Sequence, residues 1–119
     1  MVEGAGTQRA LVVEDEIMVA MYVEDLLTDL GIEVLAIATS LDQALVLARK
    51  GGFDFAVLDV NLAGQLSFPV ADVLRERGIP FLFASGYGSR GVRDDLRSAV
   101  RIQKPFVGRD LAEAIGKIV

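Results

Sequence analysis

Phe55-Ala56-Val57-Leu58-Asp59 is four apolar residues in unbroken succession, closed by a carboxylate. A run so short and uniformly apolar, with Gly51-Gly52 just ahead of it, reads as a strand buried on both faces. The carboxylate at its end is the informative residue. A lone buried carboxylate costs several kcal/mol unless it is paired or ligated. Asp59 is therefore expected either in a structural salt bridge with a lysine such as Lys104 or in a site.

The segments on either side repeat the theme. Ala10–Val13, Glu33–Ala38, Pro80–Ala84 and Val100–Gln103 are further short runs rich in apolar and β-branched residues. Stretches of helical period lie between them. Glu16–Leu30 places Val19, Val23, Leu26, Leu27 and Leu30 on one face, and Gly31 follows where a left-handed residue ends a helix. Ser40 is a suitable N-cap for a helix carrying Leu41, Ala44, Leu45 and Ala48. Pro69 suits the first turn of a third helix presenting Val70, Val73 and Leu74. Val92–Ala99 is a weaker fourth helix, and Gly108–Ile118 a fifth with Leu111, Ala114, Ile115 and Ile118 on one face. Five strand–helix units predict an α/β domain: a parallel sheet covered on both faces and doubly wound by right-handed crossovers. In such sheets the ligand site lies beyond the carboxyl ends of the strands.

Bulk properties narrow the chemistry. The chain has 119 residues, enough for one domain, and 52% of them are apolar. Residues 9–119 are expected to form that domain, with 1–8 a frayed tail lacking the features of a signal peptide. There is no cysteine and no histidine. Disulfides, thiolate chemistry, Ser-His catalysis, imidazole metal ligands and phosphohistidine on this chain are therefore excluded. Seventeen acidic against twelve basic residues give a net charge of −5, which argues against nucleic acid as a partner. The longest apolar stretch, Ile17–Val23, falls far short of the roughly 20 residues of a membrane span, so no membrane partner is expected. A cytoplasmic location is the simplest expectation.

At the strand ends the sequence places Glu14-Asp15-Glu16, Asp59-Val60-Asn61, Ser85 and Lys104-Pro105-Phe106, while Ala38-Thr39 ends the second strand without a charge. Carboxylates crowded together raise one another's pKa and cost stability, and a hard cation relieves them. Oxygen-only donors suit Mg²⁺ or Mn²⁺. Asp15 and Asp59 would bind directly, Glu14 directly or through water, and the Asn61 backbone carbonyl would complete the set. The same constellation fits phosphoryl transfer. Asp59 is a carboxylate nucleophile, ionised at neutral pH without a general base. The Lys104 ammonium and Ser85 hydroxyl would serve the equatorial oxygens.

An acidic pair after the first strand, Asp after the third, Ser after the fourth and Lys-Pro after the fifth together resemble the receiver domain of two-component response regulators, over Arg9–Val119. Phe83-Ala84-Ser85-Gly86-Tyr87 resembles the signature of the FATGUY receivers, largely stand-alone proteins of alphaproteobacteria, with Ser85 in place of threonine. The resemblance implies a flavodoxin-like sheet of order 2-1-3-4-5 with five helices. It implies Glu14 and Asp15 as metal ligands, Asp59 as phosphoacceptor, Ser85 as switch hydroxyl, Lys104 as the conserved-type lysine, and a cis Lys104–Pro105 peptide. It also implies a histidine kinase or phosphotransfer protein upstream, since this chain has no histidine. Output would pass through a downstream protein target, or the domain would act as a phosphate shuttle or sink. Such a domain is a signalling switch that catalyses its own phosphorylation and dephosphorylation, not an enzyme on a separate substrate.

Some residues depart from the family pattern. Arg101 stands where receivers usually carry an aromatic, so the familiar aromatic coupling cannot run through it. Leu62-Ala63-Gly64 replaces the usual Leu-Pro-Gly turn, which leaves the conformation of the 62–68 loop open. Tyr87 reads equally as a gate over the site or a partner contact. Arg90, Arg93, Arg97, Arg101 and Arg109 gather basic charge around the fifth strand, as a solvated face or a partner surface. Two rival readings stay open: a Mg²⁺-dependent phosphohydrolase or Toprim-like nuclease, which would want an acid where Asn61 stands, and an adaptor that never takes phosphate. Oligomeric state, and origin as a stand-alone protein or a piece of a hybrid kinase, stay open too.

Overall fold

The computed structural model describes residues 7–86 and 92–119. Tyr87, Gly88, Arg90 and Gly91, and most of the proposed tail, lie outside the described residues.

Strand β1 (Arg9–Val13) leads into helix α1 (Ile17–Asp29), followed by β2 (Glu33–Ala38), α2 (Leu41–Lys50) and β3 (Phe55–Asp59). A two-residue pair, β4 (Asn61–Leu62) and β5 (Gln65–Leu66), precedes α3 (Phe68–Glu76). Then come β6 (Phe81–Ser85), a 3₁₀ turn at Asp94–Leu96, β7 (Arg101–Gln103) and α4 (Gly108–Ile118). The main sheet has the order β2-β1-β3-β6-β7 and every pairing in it is parallel. With the short β4–β5 pair set aside, this is the 2-1-3-4-5 arrangement.

The strand alternation builds two cores. Leu11, Val13, Ala56, Leu58 and Phe83 face Ala44, Ala48, Val70 and Leu74 of α2 and α3. Ala10, Val12, Phe55, Val57 and Leu82 face Ala20, Val23, Leu27, Leu111 and Ala114 of α1 and α4. Apolar side chains thus leave both faces of β3, which is why its sequence shows no polar alternation. Several helix ends follow local chemistry. The Ser40 hydroxyl accepts the Gln43 N–H at 3.2 Å, and Gly31 takes φ 81 just past the C-terminal end of α1.

Two expectations need correction, and one open point is resolved. The buried stripe of α1 is Ala20, Val23 and Leu27, with Val19 and Leu26 at its margin, while Leu30 caps the helix and is 41% exposed. There are four α-helices among the described residues, not five, because the 92–99 segment forms only a 3₁₀ turn. Asp94, Asp95 and Ser98 are poor interior helix formers, and a segment so short does not recover the cost of nucleation. The 62–68 stretch, whose conformation the sequence leaves open, contains a short hairpin. Ala63 (φ 53) and Gly64 (φ 91) make the two-residue turn of a hairpin in which Asn61 pairs with Leu66 and Leu62 with Gln65. Asn61 Oδ1 accepts the Gly64 N–H at 2.7 Å and closes it. No helix among the described residues is long and apolar enough to cross a membrane.

Candidate functional site

The carboxyl ends of β1, β3, β6 and β7 meet at one edge of the sheet. Asp59 closes β3 opposite Ala84, so Ser85 sits one step further along the neighbouring strand. Ser85 is only 2% exposed, and its carbonyl accepts the Lys104 N–H at 2.9 Å. Glu14 continues β1 through its N–H to the Ala38 carbonyl at 2.9 Å, then turns its side chain inward, 3% exposed. The Lys104–Pro105 peptide is cis.

Side chains complete the convergence. Glu14, Asp15 and Asp59 each present a carboxylate oxygen within 4.8 Å of the others. Lys104 Nζ donates to Glu14 Oε1 at 2.7 Å and stands 3.3 Å from Asp59 Oδ2. The second Glu14 oxygen accepts the Glu16 N–H at 3.1 Å. The expected Asp59–Lys104 contact is present, yet the lysine holds Glu14 more closely.

Among the described residues the charges do not balance: three carboxylates lie close to one ammonium. Burial is the chief cause that pushes the Asp59 carboxyl up to about 6; Lys104 pulls it down, and the neighbouring Glu14 adds to the rise. Burial opposes the Lys104 ammonium, but the Glu14 hydrogen bond and the charges of Asp59 and Glu14 outweigh it and raise its pKa. A partly desolvated set of oxygen donors with surplus negative charge fits a hard divalent cation. Asp59 is held more loosely than Glu14, its Oδ1 accepting the Asn61 N–H at 3.4 Å and its Oδ2 lying 3.3 Å from Lys104 Nζ. Both Glu14 oxygens already accept hydrogen bonds, which favours contact through water. The Asn61 side chain is taken by its turn, so any share from Asn61 must come from its main chain.

The remaining sequence-predicted residues lie apart from this cluster. Arg101 sits in β7 opposite Phe83, and its guanidinium donates to the Arg97 carbonyl at 2.6 Å. Two of the gathered arginines, Arg93 and Arg97, meet acids. Arg93 binds both Asp72 of α3 and Asp95, Arg75 binds Asp95 at 2.8 Å, and Arg97 lies 3.3 Å from Asp94. Acids thus offset two of the arginines gathered around β7. Tyr87 falls outside the described residues.

One residue escaped the sequence reading. Tyr22 lay inside an apolar run with no role assigned. Its hydroxyl donates to the Phe106 carbonyl at 2.8 Å, and its ring lies 6.2 Å from that of Phe106. The available signal was an aromatic with a polar tip placed off the buried stripe of its helix. Beside it, Met18, Val19, Lys104, Pro105 and Phe106 line a groove of about 450 Å³. Ile17, Met18, Met21 and Val107 stand exposed around it.

No protein-family model matches the chain. The chain is 28% identical to the chemotaxis protein CheY of Pseudomonas aeruginosa, over 92% of its own length and 94% of that protein. Among solved structures, SdrG from Sphingomonas melonis Fr1 is 39% identical with a TM-score of 0.83, covering 92% of this chain and 94% of SdrG. The PhyR response regulator REC domain of Erythrobacter litoralis is 26% identical with a TM-score of 0.82, covering 97% and 92%.

Proposed function

This chain belongs to the CheY-like response-regulator receiver domains of bacterial two-component signalling, and from that premise we propose that Asp59 accepts a phosphoryl group from a histidine kinase or phosphotransfer protein. The observation that carries this reading is the Lys104 ammonium set between Asp59 and Glu14 in a cluster with surplus negative charge.

One Asp59 oxygen attacks the phosphorus of a phosphohistidine. The phosphorus–nitrogen bond breaks, an acyl phosphate forms, and the imidazole leaves and takes a proton from water. At neutral pH an Asp59 carboxyl near 6 is mostly ionised, so no base is required. Lys104 swings from Glu14 towards the arriving oxygens and neutralises part of their charge. Ser85, one residue beyond the Asp59 partner on β6, donates to another of them. A Mg²⁺ or Mn²⁺ ion held by Asp15 and Asp59, with Glu14 through water and the Asn61 carbonyl, would neutralise the carboxylates and the phosphoryl charge. Ile17, Met18, Met21 and Val107 give the donor protein an apolar footing beside the entrance. Output follows through altered contact with a downstream protein, or by passing the phosphoryl group on.

Incubation with acetyl phosphate and Mg²⁺, followed by intact mass, tests the reading. The wild type should gain one phosphoryl group and Asp59→Asn none. Equal labelling of the mutant would remove Asp59 as acceptor, and no labelling of the wild type would leave the adaptor reading standing. Turnover of a phosphoester well above the rate of Asp59 dephosphorylation would favour the phosphohydrolase.

A further inference from the structure

The negative and positive halves of the site reach it on different loops. Glu14 and Asp15 lie between β1 and α1, and Lys104 lies between β7 and α4. Main-chain bonds fix the root of each loop to the sheet, from Glu14 to Ala38 and from Lys104 to Ser85. Past Lys104 the second loop leaves the sheet. There the carbonyl of Phe106 accepts the Tyr22 hydroxyl at 2.8 Å, a bond between residues 84 apart in sequence.

Tyr22 is 44% exposed, so it adds little to the core. Phe106 supplies the buried ring at this point, packed with Val23, Ile102 and Leu111. What Tyr22 contributes is the hydroxyl. Met18, Val19 and Tyr22 form one wall of the groove, and Lys104, Pro105 and Phe106 form the other. Lys104 thus lines the same groove as the side of α1 from which the phenol reaches the 104–106 turn. Lysine is rich in rotamers, and its ammonium is placed only as well as the backbone from which it springs.

We infer that Tyr22 is a positioning residue for Lys104: by holding the Phe106 carbonyl to α1 it keeps the 104–106 turn where the ammonium spans Glu14 and Asp59. The inference rests on the phosphoacceptor reading for its use, though not for its geometry. The test compares the wild-type chain with Tyr22→Phe, Lys104→Ala and the double variant. Beryllofluoride, an anionic phosphoryl mimic, serves as probe in saturating Mg²⁺, and Mg²⁺ affinity is measured separately. Tyr22→Phe should weaken beryllofluoride about fivefold, the weight of one net hydrogen bond, while Mg²⁺ affinity stays within about twofold. In the Lys104→Ala background the same change should have no further effect, because the residue acts through the lysine. A full additional loss in the double variant, or unchanged beryllofluoride affinity in Tyr22→Phe, would overturn the assignment.

A second readout separates this claim from the function proposed above. NMR relaxation of the Lys104 methylenes in the metal-free protein should show greater mobility in Tyr22→Phe. Unchanged order there refutes the positioning role even if the wild type ignores beryllofluoride, an outcome that would itself count only against the phosphoacceptor reading.

Discussion

Two ionic clusters in this protein are built from similar residues and do opposite things. At the strand ends, Glu14 and Asp59 share the ammonium of Lys104 with Asp15 close by, three acids to one base among the described residues. On the flank, Asp72 and Asp95 meet Arg75 and Arg93 at the surface, acid for base. The Arg93 guanidinium also rests over the Phe68 ring at 5.9 Å, which joins α3 to the segment leading into the 3₁₀ turn. In the first cluster burial and like charge push the Asp59 carboxyl up to about 6. In the second, hydrogen bonds from Arg93 and Arg75 hold Asp95 down at about 2, and those from Arg93 lower Asp72. A balanced cluster in water is a staple. An unbalanced one, partly out of water, has the chemistry that suits a hard cation.

The contrast can be broken first with Mg²⁺. At a hundred times its Kd the ion should stabilise the wild type by about 2.7 kcal/mol in urea denaturation. Asp72→Asn should gain as much, and Asp59→Asn far less. An equal gain in all three would mean the strand-end cluster is not where the ion binds.

Next comes pH in chelator. The folded Asp59 carboxyl, near 6, lies above its ordinary 3.8, so between those values the folded state holds the extra proton. Stability should therefore fall as pH rises from 4 to 6, by on the order of 2 kcal/mol, and stay low above. Asp59→Asn should remove that slope and exceed the metal-free wild type at pH 7.5. A flat wild-type profile would show that the surplus charge is relieved some other way.

The flank cluster should give the opposite sign. Its carboxylates sit below their ordinary values, so their stability is present above pH 4 and is lost as pH falls through about 2 for Asp95. Arg93→Ala should lower Tm by a few degrees, and 1 M NaCl should close the gap, because the pairs are exposed and screened. A loss that persists in salt would move this cluster from staple to core. Smallest of all, Ala63→Gly touches neither cluster. It relieves a left-handed alanine while loosening the unfolded chain, and should change stability by only about 0.5 kcal/mol.

The legible part of the molecule was the part written in local chemistry. Apolar runs ending in carboxylates announced the sheet and its active edge, because a buried strand needs no polar alternation and a buried acid needs a reason. What escaped was decided at a distance. Arg93 finds Asp72 across 21 residues, a pairing no window of sequence displays. The 61–66 hairpin hid behind Ala63, because the Asn-Gly or Asp-Gly pair that usually marks such a turn is absent. Tyr22 hid in an apolar run because only the fold reveals that its hydroxyl meets a carbonyl on the far loop. Lys104 was foreseen at the site, but its closer hold on Glu14 depends on how far each side chain reaches.

The bond from the Lys104 amide to the Ser85 carbonyl stitches the tips of two neighbouring strands together. On the proposed reading, a hydroxyl and an ammonium that would serve the same incoming anion are thus mounted on one crossbar. A displacement of one strand tip would then tend to carry the other, because the two share that main-chain bond.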